Sequence, residues 1–126
     1  MRHVIIATAS GAIALSLCAC ASNQPARINH VVFMTLKDPA QADALVKACD
    51  AELAPIPGVT SYFAGTHLDT GRATVDADYD VGLYLGFNTE EAYSGYVEHP
   101  AHVAFVEAWK PKLELLLVRD ILDETP

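Results

Sequence analysis

One tyrosine and two histidines crowd into a seven-residue stretch, Tyr96-Val97-Glu98-His99-Pro100-Ala101-His102, and His30 lies far upstream in an apolar run. These residue types suit proton transfer. An imidazole titrating near neutrality can remove a proton beside a carbonyl, while a phenol hydrogen-bonds the developing enolate. Tyr96 and His102 are therefore the candidate catalytic pair, and His30 and His99 the candidate ligand-binding residues. Each also has a structural reading. His99 before Pro100 suits a helix start, where its ring can hold backbone donors; His102 and His30 can be hydrogen-bonded core histidines, and Tyr96 an amphipathic wall residue. A metal would need three or four convergent ligands. His30, His99 and His102 supply the number, but Pro100 separates the pair and no helical His-Glu-x-x-His frame exists, so neither metal nor cofactor is expected. Asp76-x-Asp78-x-Asp80 begins like a calcium loop, but Val81 stands where glycine is required and Phe87 where the closing glutamate is required. No glycine-rich phosphate loop, nucleophile elbow or cysteine redox pair is present.

The elements that must position these residues follow from periodicity. Ile28 to Leu36 is rich in β-formers and apolar on both alternating sets, which predicts a strand covered on both faces. Asp38-Pro39 opens a helix carrying Ala42, Leu45, Val46, Cys49 and Leu53 at helical spacing, and Pro55, Pro57 and Gly58 stop it. Val59 to His67 and Tyr79 to Phe87 read as strands, the latter with clean alternation, and the polar stretch from Leu68 to Asp78 joins them as a loop. Asn88 with Glu91 forms a capping box for the helix bearing Tyr93 and Tyr96. His99-Pro100 restarts the chain into a helix through Trp109, Pro111 ends it, and Leu113 to Leu122 is the last strand. The order β-α-β-β-α(α)-β predicts an α+β, ferredoxin-like split βαβ fold, a four-stranded antiparallel sheet with helices on one face. The other face would then be a large apolar patch in a monomer, and a second copy is the simplest cover.

From about Asn29 to Asp120 the chain resembles the stress-responsive dimeric α/β-barrel (Dabb) family. The resemblance rests on His30-Val31-Val32, Pro57-Gly58-Val59, Gly65, Tyr79-Asp80, Phe87, Tyr96-x-x-His99-Pro100-x-His102 and Asp120, in this order. It implies a homodimeric α/β barrel whose protomers pack sheet to sheet, with a pocket between each sheet and its helices. Most members have no assigned reaction. One plant member performs an aldol-type polyketide cyclisation with a tyrosine and a histidine corresponding to Tyr96 and His102, and carries a further histidine where this chain has Val81. Two functions are thus expected: a homodimeric module binding a small apolar or carbonyl-containing ligand, or a proton-transfer enzyme, a cyclase or isomerase, using Tyr96 and His102. A cofactor-free monooxygenase fits the architecture without the histidine signature.

The first stretch of the chain is not expected to join this fold. Arg2-His3 precedes an apolar run, Val4 to Leu17, that ends at small residues in the manner of a secretory signal. Leu17-Cys18-Ala19-Cys20 resembles a bacterial lipobox with Cys20 as the lipid acceptor, while Ala19-x-Ala21 is the competing soluble cleavage site. The expected organisation is a signal over 1–19, a tether over 20–27, the domain over 28–122 and a tail over 123–126. The expected localisation is the cell envelope, held to the membrane by the N-terminal lipid alone. Losing residues 1–19 removes Arg2, so the net charge of −8 becomes −9. No basic stripe exists to neutralise phosphates, which argues against a nucleic-acid partner. Cys49, on the apolar face with Leu45 and Leu53, reads as a small buried hydrophobe.

Overall fold

The computed structural model describes residues 25–125. Four strands, β1 (Ile28–Leu36), β2 (Ser61–Thr66), β3 (Val81–Phe87) and β4 (Leu113–Leu122), form one sheet in the order β2-β3-β1-β4, every neighbour antiparallel. Helix α1 (Ala42–Ala48) follows β1, and α2 (Glu90–Glu98) and α3 (Pro100–Trp109) lie between β3 and β4. This is the expected ferredoxin-like α+β arrangement. The period-2 pattern does the sorting. Ile28, Val32, Met34 and Leu36 of β1 and Val81, Leu83, Leu85 and Phe87 of β3 are buried under the helices with Leu45, Cys49, Leu53, Phe105 and Trp109. Burying each large side chain of this set contributes roughly 1.5–3 kcal/mol.

Four local departures from the expected elements have physical causes. The helix after β1 is not uniform: a 3-10 turn over Pro39–Gln41 leads into α1, and a π turn over Cys49–Leu53 closes it through Ala54 N to Cys49 O (3.2 Å). That wider turn leaves both Cys49 and Leu53 buried. Gly58, at φ +95°, then takes the left-handed turn that redirects the chain, with its α-carbon side close against Ala92. Strand β3 begins at Val81 rather than Tyr79; just before it Asp80 N donates to Met34 O (2.9 Å), and Asp80 Oδ2 accepts from Leu36 N (2.7 Å) where β1 shifts register at Thr35/Leu36. Strand β2 is shorter than expected because its pairing with β3 stops at Thr66–Val81. Finally, α2 is capped by Thr89, not Asn88; the Thr89 hydroxyl accepts from Ala92 N (3.1 Å).

The opposite sheet face carries no helix. There Phe63 is 62% exposed, Leu115 53% and Ile121 54%, and Val31, Phe33 and Leu117 are half-buried. A polar network interrupts it near the start of β1. Tyr84 Oη donates to Asn29 Oδ1 (2.8 Å), Asn29 Nδ2 donates to Ala26 O (3.0 Å), and Ser61 Oγ lies 3.1 Å from Tyr84 Oη. Gly86 makes room for that network, since a Cβ there would sit 2.6 Å from Ala26 Cβ and 2.8 Å from Tyr84 Oη.

Candidate functional site

Between the helix-facing side of β1 and β4 and helices α2 and α3 lies a cavity of about 260 Å³. Its walls are mostly aliphatic and aromatic, Met34, Leu53, Leu83, Phe105, Trp109 and Leu116 among them. Its polar groups include His30, Tyr93, Tyr96, His102 and Lys110. An apolar hollow with a few convergent polar groups is the usual form of a small-molecule site.

Tyr96 and His102 meet because α2 and α3 are broken at His99-Pro100. The backbone at His99 is extended (φ −63°, ψ 135°), so the chain turns between the helices and the two rings come together at 4.7 Å between centroids. Tyr96 is 1% exposed and also packs on Phe87 (5.1 Å) and His30 (6.0 Å). Its hydroxyl makes no hydrogen bond among the described residues, and burial raises its pKa, which keeps the phenol protonated at pH 7. His102 Nδ1 lies 2.8 Å from Val97 O. A carbonyl only accepts, so Nδ1 carries a proton and Nε2 of the neutral ring is the basic nitrogen. The His102 pKa is lowered by burial foremost, with the Val97 carbonyl opposing and His30 adding to the depression. Neutral His102 is thereby favoured at pH 7.

His30 enters from the sheet. Its Nδ1 donates to Asp120 Oδ1 (2.6 Å), a pair made by the β1–β4 register that sets His30 opposite Asp120. Tyr93 Oη donates to Asp120 Oδ2 (2.9 Å) and lies 3.4 Å from His30 Nδ1. Asp120 thus orients His30 and leaves Nε2 as the nitrogen not engaged by the carboxylate. Burial and the Asp120 hydrogen bond push the Tyr93 phenol up to about 12. Tyr93 and Asp120 were not singled out as site residues from the sequence. The available signal was a carboxylate at position 120 continuing the helix-facing alternation of Leu116 and Val118, and a tyrosine three residues before Tyr96 on the same helical face.

His99, expected among the ligand-binding residues, does not line the cavity. Its Nδ1 accepts from Ala101 N (3.2 Å), capping α3. His30, His99 and His102 therefore do not converge as a metal set, and among the described residues no group of three or more His, Cys, Asp or Glu is arranged to hold a metal ion. Cys49 is free and buried, its thiol pushed up to about 12 by burial and by Asp50 and Glu52, which leaves it inert. Cys20 and the segment 1–19 lie outside the described residues.

The family model described as "Stress responsive A/B Barrel Domain" matches residues 28–123. No curated protein sequence matches significantly. Among solved structures, a Dabb family protein with a ferredoxin-like fold from Mesorhizobium loti is 29% identical, over 78% of this chain and 97% of that one, at a TM-score of 0.65. A dimeric ferredoxin-like protein of unknown function from Thermobifida fusca is 22% identical over 76% and 90%, at 0.64. A hydroxynitrile lyase from Passiflora edulis is 18% identical over 82% and 99%, at 0.67.

Proposed function

The chain belongs to the stress responsive A/B barrel domain family, and from that premise we propose that it is a homodimeric module holding a small apolar or carbonyl-containing ligand in the cavity between sheet and helices. The observation that carries this reading is the apolar hollow lined by both Tyr96 and His102, with no hydrogen bond to the Tyr96 hydroxyl among the described residues. A carbonyl oxygen would accept from Tyr96 Oη, and a ligand hydroxyl would donate to His102 Nε2. Thermal shifts with a panel of small ketones and phenols, on the wild type and on Tyr96→Phe and His102→Ala, test it. Loss of the ligand response with the melting temperature largely kept supports a binding role. A stability loss of about 2 kcal/mol or more with the ligand response unchanged would end it.

The bare sheet face supports the homodimer, because exposed Phe63, Leu115 and Ile121 form an apolar surface that a two-fold copy would cover. The Thermobifida fusca and Mesorhizobium loti structures, the first described as dimeric, have the same fold.

The second reading is proton-transfer catalysis. It is favoured by the fixed tautomer of His102, whose depressed pKa and free Nε2 suit a general base beside a phenol donor. An enzyme stands among the structures of this fold, but fold and reaction are separable. Turnover of a carbonyl substrate lost in His102→Ala and reduced in Tyr96→Phe, with binding retained, would select this reading over simple capture.

Export is supported by the sequence from Arg2 to Cys20 alone. Acylation at Cys20 would hold the domain at the membrane, two or more acyl chains giving a stable anchor. Mass spectrometry of the mature chain decides it: an acylated N-terminal Cys20 fits, and a chain starting at Ser22 excludes it.

A further inference from the structure

Lys110 lines the cavity at the C-terminal end of α3. Lys110 caps α3, and His102 lies eight residues earlier in its first turn, about 12 Å away along the axis at 1.5 Å per residue. The hollow therefore has two chemically different ends, an imidazole and phenol end and an ammonium end, with an apolar wall between them. Lys110 is exposed, so its aliphatic stem can cover the wall while its charge stays at the water boundary.

Three of the eight Lys and Arg residues of this acidic chain gather at this end, Lys37, Lys110 and Lys112. Two are spent locally. Lys37 Nζ donates to Pro111 O (2.8 Å), and Lys112 Nζ sits 4.3 Å above the Trp109 ring. Lys110 has neither arrangement, and among the described residues no carboxylate pairs with it. An ammonium without a partner, beside an apolar hollow and two further cations, is a place for an anion attached to an apolar body.

Resting on the ligand-binding reading above, we propose that the ligand class is a small apolar carboxylic acid, its carboxylate held at Lys110 and its apolar body lying along the cavity toward Tyr96 and His102. At about 30 Å³ per water-sized group, 260 Å³ holds roughly nine non-hydrogen atoms, close to the ten of octanoate.

The experiment measures calorimetric affinities of the purified full chain for octanoate, for the neutral octanamide and for octylammonium, at pH 7.5 and low salt. The wild type is expected to prefer octanoate to octanamide by about tenfold, and the preference should shrink as salt is raised. Lys110→Gln should abolish the preference by bringing octanoate affinity down to that of octanamide in the same variant, and Lys110→Glu should turn it toward octylammonium. Octanoate and octanamide binding alike in the wild type, or a preference surviving Lys110→Gln, overturns the assignment to Lys110 while the cavity as a ligand site stands. Absence of binding by all three probes to a folded wild type overturns both.

Discussion

The two faces of the sheet both carry large apolar residues and end in opposite conditions. On one side, Val81, Leu83, Leu85 and Phe87 of β3 disappear beneath helices supplied by the same chain. On the other, Phe63, Leu115 and Ile121 remain open, and the Asn29, Tyr84 and Ser61 network interrupts the apolar surface. The difference teaches that a strand pattern states which residues want cover, not what supplies it. The covered side is also where polar groups are deliberately admitted, His30, Tyr96 and His102 facing a hollow that the helices do not fill.

The largest effect should come from the covered face. Leu45, wholly buried on the inner face of α1, should cost about 2–5 kcal/mol when replaced by alanine; chemical denaturation measures it, and a loss below 1 kcal/mol would mean that the helix layer is not the core. On the open face, Leu117→Asp should leave the protomer folded and weaken self-association by about 2 kcal/mol or more, roughly thirtyfold or beyond. Sedimentation equilibrium reads this, and an unchanged dimer would move the interface elsewhere. Gly86→Ala should destabilise by about 1–3 kcal/mol, since the added methyl overpacks the site between Ala26 and Tyr84; tolerance of alanine would show that the network there is slack.

A smaller effect should appear with pH. The folded pKa of His102 is lowered below the ordinary 6.5, so the unfolded chain binds the proton more readily. Its contribution is present above about pH 6.5, and is lost as pH falls from there through the depressed folded value. Comparing the wild type with His102→Gln across pH 7.5 to 4.5 isolates it; identical slopes would mean that the ring is not desolvated in the way its surroundings imply.

Much of this was legible in the sequence because the elements are contiguous signals. The boundaries of β1 and β4 coincide with the apolar runs Ile28–Leu36 and Leu113–Leu122, and the break at His99-Pro100 follows from proline's preference for a first helical position. The two competing readings of His99 were separated only by where its ring points, to Ala101 N rather than to the hollow. Thr89 displaced Asn88 as cap because both are competent and the choice depends on where β3 ends. The His30–Asp120–Tyr93 cluster joins residues 90 and 27 apart in sequence. It depends on strand register and helix placement, which local patterns do not carry.

The central claim is that the covered face presents a phenol donor and a bare imidazole nitrogen to a ligand. The most direct measurement is ¹⁵N NMR of the His102 ring at pH 7, in the free protein and during titration with a small phenol. The account predicts a protonated Nδ1 held by Val97 O, an unprotonated Nε2, and a shift of Nε2 alone as the phenol donates to it. A ring protonated at Nε2 instead, or an Nε2 signal indifferent to saturating phenol that binds elsewhere, would contradict it.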